Sequence, residues 1–101
     1  IIIMTIEKIL DGKKMTLLLE GRLDTTTAPQ LEADLKTDLN GVEELLMDFE
    51  KLEYLSSAGL RVLLSAQKTM NKQGKMVICH VNETIRDVFE VTGFSEILTI
   101  E

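Results

Sequence analysis

The chain has no tryptophan, a single cysteine and a single proline in 101 residues, and aromatic rings make up 4% of it. One thiol, Cys79, cannot close an internal disulfide, so a disulfide-stapled secreted scaffold is excluded and a reducing compartment is expected. So few rings leave no stacking surface for carbohydrate. Basic charge is also scarce: 11 Lys and Arg against 17 Asp and Glu give a net charge of −6. A chain this acidic lacks the electrostatic footprint of a protein that binds nucleic acid directly or docks on an anionic membrane. No apolar run approaches the roughly 20 residues of a membrane span, and no Pro-rich, Gly/Ser-rich or repeated stretch is present. Ile1-Ile2-Ile3 is too short for a signal-peptide core of about 7–15 residues. A cytoplasmic protein is expected, with Met4 a candidate start and Ile1–Ile3 a remnant ahead of a domain spanning 4–101.

Apolar residues are plentiful, at 45%, and the length suits one domain, since single cores run to roughly 100–150 residues. Met4 to Ile9 alternate apolar and polar, the period of a half-buried strand. Asp11-Gly12 suits a tight hairpin turn, and Met15 to Leu19 form the returning strand, closed by Gly21-Arg22-Leu23-Asp24. Thr27 and Gln30 have the spacing of a capping box, with Pro29 in the first turn. Ala28, Leu31, Leu35 and Leu39 then recur at helical spacing, predicting a helix over 28–39 that Asn40-Gly41 stops. Leu45 to Phe49 reads as a short strand covered on both faces, and Leu52 to Ser57 as the loop after it. A second helix from Ala58 carries Leu60, Leu63, Leu64, Gln67 and Met70 on one stripe and ends at Gly74. Met76 to Val81 predicts a strand. Asn82 caps a third helix with Ile85, Val88 and Phe89 inward, closed by Gly93. Phe94 and Ile97 to Ile100 predict a last strand. The expected fold is α/β: a mixed sheet with an N-terminal β-hairpin followed by alternating helices and strands.

Most chemistry is excluded by what is missing. There is no G-x-S-x-G elbow, phosphate-binding G-x-x-x-x-G-K-[ST] loop or G-x-G-x-x-G fingerprint. His80, the one histidine, adjoins Cys79 in an expected buried strand, where neighbours point to opposite faces. The pair is therefore read as core and rim rather than as nucleophile and base. One Cys and one His fall short of the three or four ligands of a metal centre, so no metal, cofactor or catalytic residue is expected, and the chain is read as a non-enzyme. Asp24 and Asp48 sit near strand C-termini, with capping the default reading of Asp24 against cation binding. In Tyr54-Leu55-Ser56-Ser57-Ala58-Gly59-Leu60-Arg61, two serines meet the start of the second helix. Either is an N-cap, or one accepts a phosphate that the positive helix end tolerates.

Three segments carry a family resemblance: Gly21-Arg22-Leu23-Asp24-Thr25-Thr26-Thr27-Ala28, like G-x-L-D-x-x-T-A; Leu45-Leu46-Met47-Asp48-Phe49; and Leu55-Ser56-Ser57-Ala58-Gly59-Leu60-Arg61, like [DS]-S-[SA]-G-L. Together, and in this order, they make the chain similar to the anti-sigma factor antagonists, which consist of a single STAS domain. The resemblance implies a regulatory binding protein. Unphosphorylated, such a protein binds an anti-sigma factor that is also a serine kinase and releases a sigma factor. The kinase inactivates it, and a serine phosphatase restores it. The resemblance maps the phosphate to Ser57 and the partner surface to Asp24, Thr27, Ser56, Ser57, Gly59 and Arg61. Two features depart from the pattern: Ser56 stands where some members have Asp, and Glu101 falls on the last expected strand where many members run on into a helix. The alternative is a constitutive STAS interaction subunit of a transport or stress-signalling complex, with Ser57 a mere cap.

Overall fold

A computed structural model describes residues 4–101; Ile1–Ile3, and the remnant reading attached to them, lie outside the described residues. Strands β1 (Met4–Asp11) and β2 (Lys14–Leu23) form the expected antiparallel hairpin, with Asp11 opposite Lys14 across Gly12 and Lys13. Gly12 turns the chain at φ +62°, a conformation that glycine adopts without steric cost. The chain then alternates through α1 (Ala28–Asp38), β3 (Glu44–Leu55), α2 (Ser57–Gln73), β4 (Lys75–Cys79) and α3 (Glu83–Thr92). The sheet order is β1-β2-β3-β4, with β2, β3 and β4 parallel.

Both crossovers, β2–α1–β3 and β3–α2–β4, step the same way across the sheet. Right-handed connections then place α1 and α2 on one face, and burial follows that rule. Met15, Leu17 and Leu19 of β2, Leu45 and Met47 of β3, and Met76 and Ile78 of β4 are buried, as are Leu31, Leu35, Leu63, Met70, Ile85 and Phe89 of the helices. The alternate residues Thr16, Leu18, Leu46, Asp48, Val77 and Cys79 are only half-buried and form the opposite, open face. The expectation that Leu45–Phe49 is covered on both sides is therefore corrected: helices cover one face only.

β3 also runs further than expected. Its 12 residues match 10 in β2 because the register slips between Leu18 and Glu20 and again between Gly21 and Arg22. Each slip gives β3 one extra residue, a β-bulge that bends the strand. Its buried residues consequently change from every second to every third position: Phe49, Leu52, Leu55. Leu52–Leu55, expected as loop, is strand.

The last expected strand is not formed as such. Gly93 at φ +82° ends α3, Phe94–Glu96 make a 3-10 turn, and Ile97 N and Leu98 N both donate to Phe94 O. That turn uses up the segment, leaving Ile100 to rejoin the sheet as an isolated parallel bridge to Ile78. Asn82 caps α3 as expected, its side chain accepting from Ile85 N at 2.8 Å, and its amide donates to Leu52 O at 3.0 Å. At Gly74 a Cβ would collide with the Glu43 backbone carbonyl, so the glycine allows the end of α2 to abut the start of β3.

Candidate functional site

Parallel strands present their C-terminal ends at one edge of the sheet, where α/β ligands gather. Leu23 pairs with Leu55, and Ser56 N donates to Leu23 O at 2.9 Å. The loop leaving β2 and the start of α2 are thereby fixed side by side. Asp24, Thr27, Ser56 and Ser57 all belong to this edge, and exposed Arg61 follows Ser57 by one helical turn, on the same face of α2.

The Asp24 carboxylate organises the loop. Its Oδ1 accepts from Thr26 Oγ1 at 2.7 Å, Thr26 N at 3.0 Å and Thr27 N at 3.2 Å. The Thr26 hydroxyl foremost, then the two amides, hold the carboxyl below the usual carboxylate range against the desolvation that opposes them. Arg22 approaches Asp24 Oδ2 with its Nε at 3.6 Å and stacks 4.3 Å from the Tyr54 ring centre. Asp24 is thus the cap of its own turn.

Thr27 does not form the capping box expected with Gln30. At φ −102° and ψ −21° its hydroxyl makes no helix cap; it donates back to Arg22 O at 2.7 Å and accepts from Asp24 N at 2.9 Å. With 3% of its surface exposed, Thr27 holds the loop from inside and presents almost nothing to a partner.

The two serines differ. Ser56 is the N-cap residue in extended conformation, yet makes no side-chain cap bond. Its Oγ is buried without a hydrogen-bond partner among the described residues. Ser57, the first helical residue, is exposed. Residues 57–60 include no acid, so the free N–H groups of the first turn meet no carboxylate from that turn itself. Gly59 is buried, and a Cβ there would lie 2.6 Å from Leu55 Cδ1 and 2.7 Å from Leu23 Cγ. Its place in the motif is a packing requirement: glycine lets α2 rest directly on the ends of β2 and β3.

A second cluster lies on the open face, where strand alternation misleads. Cys79 is half-buried beside Asp48 of β3, and His80, just past β4, has φ +58°. That left-handed turn brings the ring back to its neighbour: His80 Nδ1 is 3.0 Å from Asp48 Oδ1 and 3.6 Å from Cys79 Sγ. The reading of Cys79 as core and His80 as divergent from it is corrected accordingly. The hydrogen bond to Asp48, then the charge of Asp48, raises the imidazole above the ordinary histidine range. Desolvation first, then Asp48, Glu101 and Glu50, pushes the Cys79 thiol up, the reverse of what an activated nucleophile needs. Both contacts use the same ring nitrogen, so the three groups do not form a relay from nucleophile to base to acid.

A STAS domain family model matches residues 4–101. The chain is 37% identical over 99 residues to the "Putative anti-sigma factor antagonist BtrV" of Bordetella bronchiseptica, covering 96% of this chain and 84% of that one. Its fold matches an anti-sigma factor antagonist from Mycobacterium paratuberculosis with a TM-score of 0.87 at 20% identity, over 96% of this chain and 84% of the other. It also matches the Bacillus cell fate determinant SpoIIAA in its phosphorylated form, with a TM-score of 0.74 at 21% identity over 97% and 90%.

Proposed function

The chain belongs to the STAS domain family, and on that premise we propose that it is an anti-sigma factor antagonist switched by phosphorylation of Ser57. Unphosphorylated, it binds an anti-sigma factor with serine kinase activity and so releases a sigma factor; a serine phosphatase reverses the modification. One observation carries the choice of residue: of two adjacent hydroxyls, Ser57 is exposed while the Oγ of Ser56 is buried. A kinase can reach the first and not the second.

The local physics supports a switch there. A phosphate on Ser57 meets free N–H groups and the positive end of a 17-residue helix, so it is accommodated without unfolding. It also adds nearly two negative charges to the surface that carries Asp24 and Arg61. In this reading Asp24 and Arg61 touch the partner; from inside, Thr27 fixes the loop, Gly59 seats the helix start, and Ser56 acts through its backbone N–H to Leu23 O. The name of BtrV supports the antagonist role, and the phosphorylated form of SpoIIAA supports phosphorylation as its control; neither name bears on the choice of residue. Incubation with the cognate anti-sigma kinase and ATP, followed by peptide mass spectrometry, should yield one phosphate on Ser57, absent from Ser57→Ala. Phosphate on Ser56 would refute the choice of residue. Tight binding with no phosphate on either serine would replace the switch with constitutive association.

A further inference from the structure

On the open face of the sheet, we propose that Asp48, Cys79 and His80 form a binding site for a thiophilic divalent metal ion of the zinc type. The three side chains come from two elements that backbone pairing brings together. Asp48 opposes Cys79 in the last β3–β4 pair, so both project to the same face. His80 follows in a left-handed conformation at φ +58° that folds its ring over them. Such a backbone is uncommon for a non-glycine residue and here produces a convergence that straight strand continuation would prevent.

The distances fit a coordination shell. One ligand atom from each residue lies within 4.8 Å of the other two. Tetrahedral zinc, with bonds of about 2.0–2.1 Å to N, 2.0–2.2 Å to O and 2.3 Å to S, has N–O edges of about 3.4 Å and N–S edges of about 3.6 Å. The structure has 3.0 Å between His80 Nδ1 and Asp48 Oδ1 and 3.6 Å between Nδ1 and Cys79 Sγ. These two edges lie within a few tenths of an ångström of that geometry, and the Asp48–Cys79 edge, within 4.8 Å, closes by rotation of the two side chains onto the ion.

The donor set is selective as well. Thiolate and imidazole disfavour calcium and magnesium, which take oxygen ligands, and favour zinc and its neighbours. Glu50 Oε1 lies 3.9 Å from His80 Nδ1 on a side chain that is 70% exposed, free to swing in as fourth ligand. The ion would pin the exit of β4, where α3 begins, to the middle of β3. Because this face is opposite the helices, the proposal does not depend on the phosphorylation reading.

The test is calorimetric titration of the reduced, untagged chain with zinc(II), and with cobalt(II) as an optical reporter of thiolate ligation. One equivalent should bind with a dissociation constant in the micromolar range or below, and cobalt should develop a thiolate charge-transfer band. Cys79→Ser should abolish the band, and His80→Ala should weaken zinc at least tenfold. Both positions lie outside the packed core, and metal-free melts of the two variants check that they fold; Asp48→Asn is then a third probe. The proposal is overturned if zinc binds only in the millimolar range, if neither variant changes the affinity, or if the cobalt band requires two chains per ion.

Discussion

Gly59→Ala tests whether the helix start is seated by close packing. The added methyl would lie 2.6 Å from Leu55 Cδ1 and 2.7 and 3.1 Å from Leu23 Cγ and Cδ2, where carbon atoms normally stand about 3.5–4.0 Å apart. Leu23 and Leu55 are 0% and 3% exposed, so neither can rotate into solvent. The first turn of α2 must lift by a sizeable fraction of an ångström, or the two leucines must leave their rotamers. Overpacking of this kind costs about 1–3 kcal/mol, and with three contacts violated the upper half of that range applies. Alanine returns about 1 kcal/mol through its helix preference over glycine. The net loss is about 1–2 kcal/mol, a fall of about 5–15 °C in Tm for a domain of this length. Urea denaturation should show a lower midpoint with an unchanged slope, because the surface exposed on unfolding is the same. A second readout is functional: lifting the first turn displaces Ser57, so phosphorylation should slow even at temperatures where the variant is fully folded. A Gly59→Ala protein as stable as wild type would refute the packing argument, and the glycine would then need explanation through partner contact.

Ser57→Asp should bind the anti-sigma partner about a hundredfold more weakly, since about 2.7 kcal/mol of unpaired carboxylate desolvation suffices; titration calorimetry reads this. Its melting temperature should be unchanged or slightly higher, because an acid in the first helical turn contributes about 0.3–1 kcal/mol. Ser56→Ala should be neutral or stabilising in thermal melts, because the hydroxyl it removes is buried without a partner among the described residues; a loss above about 1 kcal/mol would contradict the environment described for it. The Asp24 carboxyl should titrate below the usual carboxylate range by NMR and move back up in Thr26→Val, which removes the first of its hydrogen-bond causes. A depressed folded-state value means that this stabilisation is full above the unfolded value of about 3.9 and is lost as pH falls through the folded one. Acid unfolding of Thr26→Val should therefore depend less steeply on pH in that window.

How much the residues disclosed depended on whether local periodicity reflected the pairing partner. The hairpin, the helix faces and the Asn82 and Gly93 ends were legible because each follows from side-chain spacing or a single residue's backbone preference. β3 was legible only to Phe49. Beyond it, two bulges set by pairing with β2 turn an alternating pattern into one of every third residue, which nothing in Leu52–Leu55 alone announces. Thr27 illustrates a different failure. Its spacing to Gln30 satisfies a capping rule, but the hydroxyl finds a carbonyl and an amide of the preceding strand end within 2.9 Å, and those bonds win over the helix cap. The Asp48–Cys79–His80 cluster was hidden for both reasons at once, requiring the β3–β4 register and a left-handed residue where strand alternation predicts divergence.

The placement of Ser57 separates two free energies that a switch must keep apart. Were the hydroxyl buried, as in Ser56, phosphorylation would have to unfold the helix start, and the same change that blocked a partner would expose Leu23, Leu55 and Leu60. At the exposed first helical position the fold is insulated: free N–H groups and the helix dipole favour the added charge rather than resist it. The packed Gly59 beneath keeps the turn from yielding, so the charge has to be met by whatever approaches from outside. In the proposed switch a partner would then face a fixed anion in place of a neutral hydroxyl, and the penalty would fall on the interface alone. The requirement can be read in the stability of the modified protein. Phosphorylated and unphosphorylated chains should melt within a few degrees of one another while their affinities for the anti-sigma partner differ by two orders of magnitude or more. A large loss of thermal stability on phosphorylation would mean that the signal is carried by partial unfolding of α2, not by charge on an intact surface.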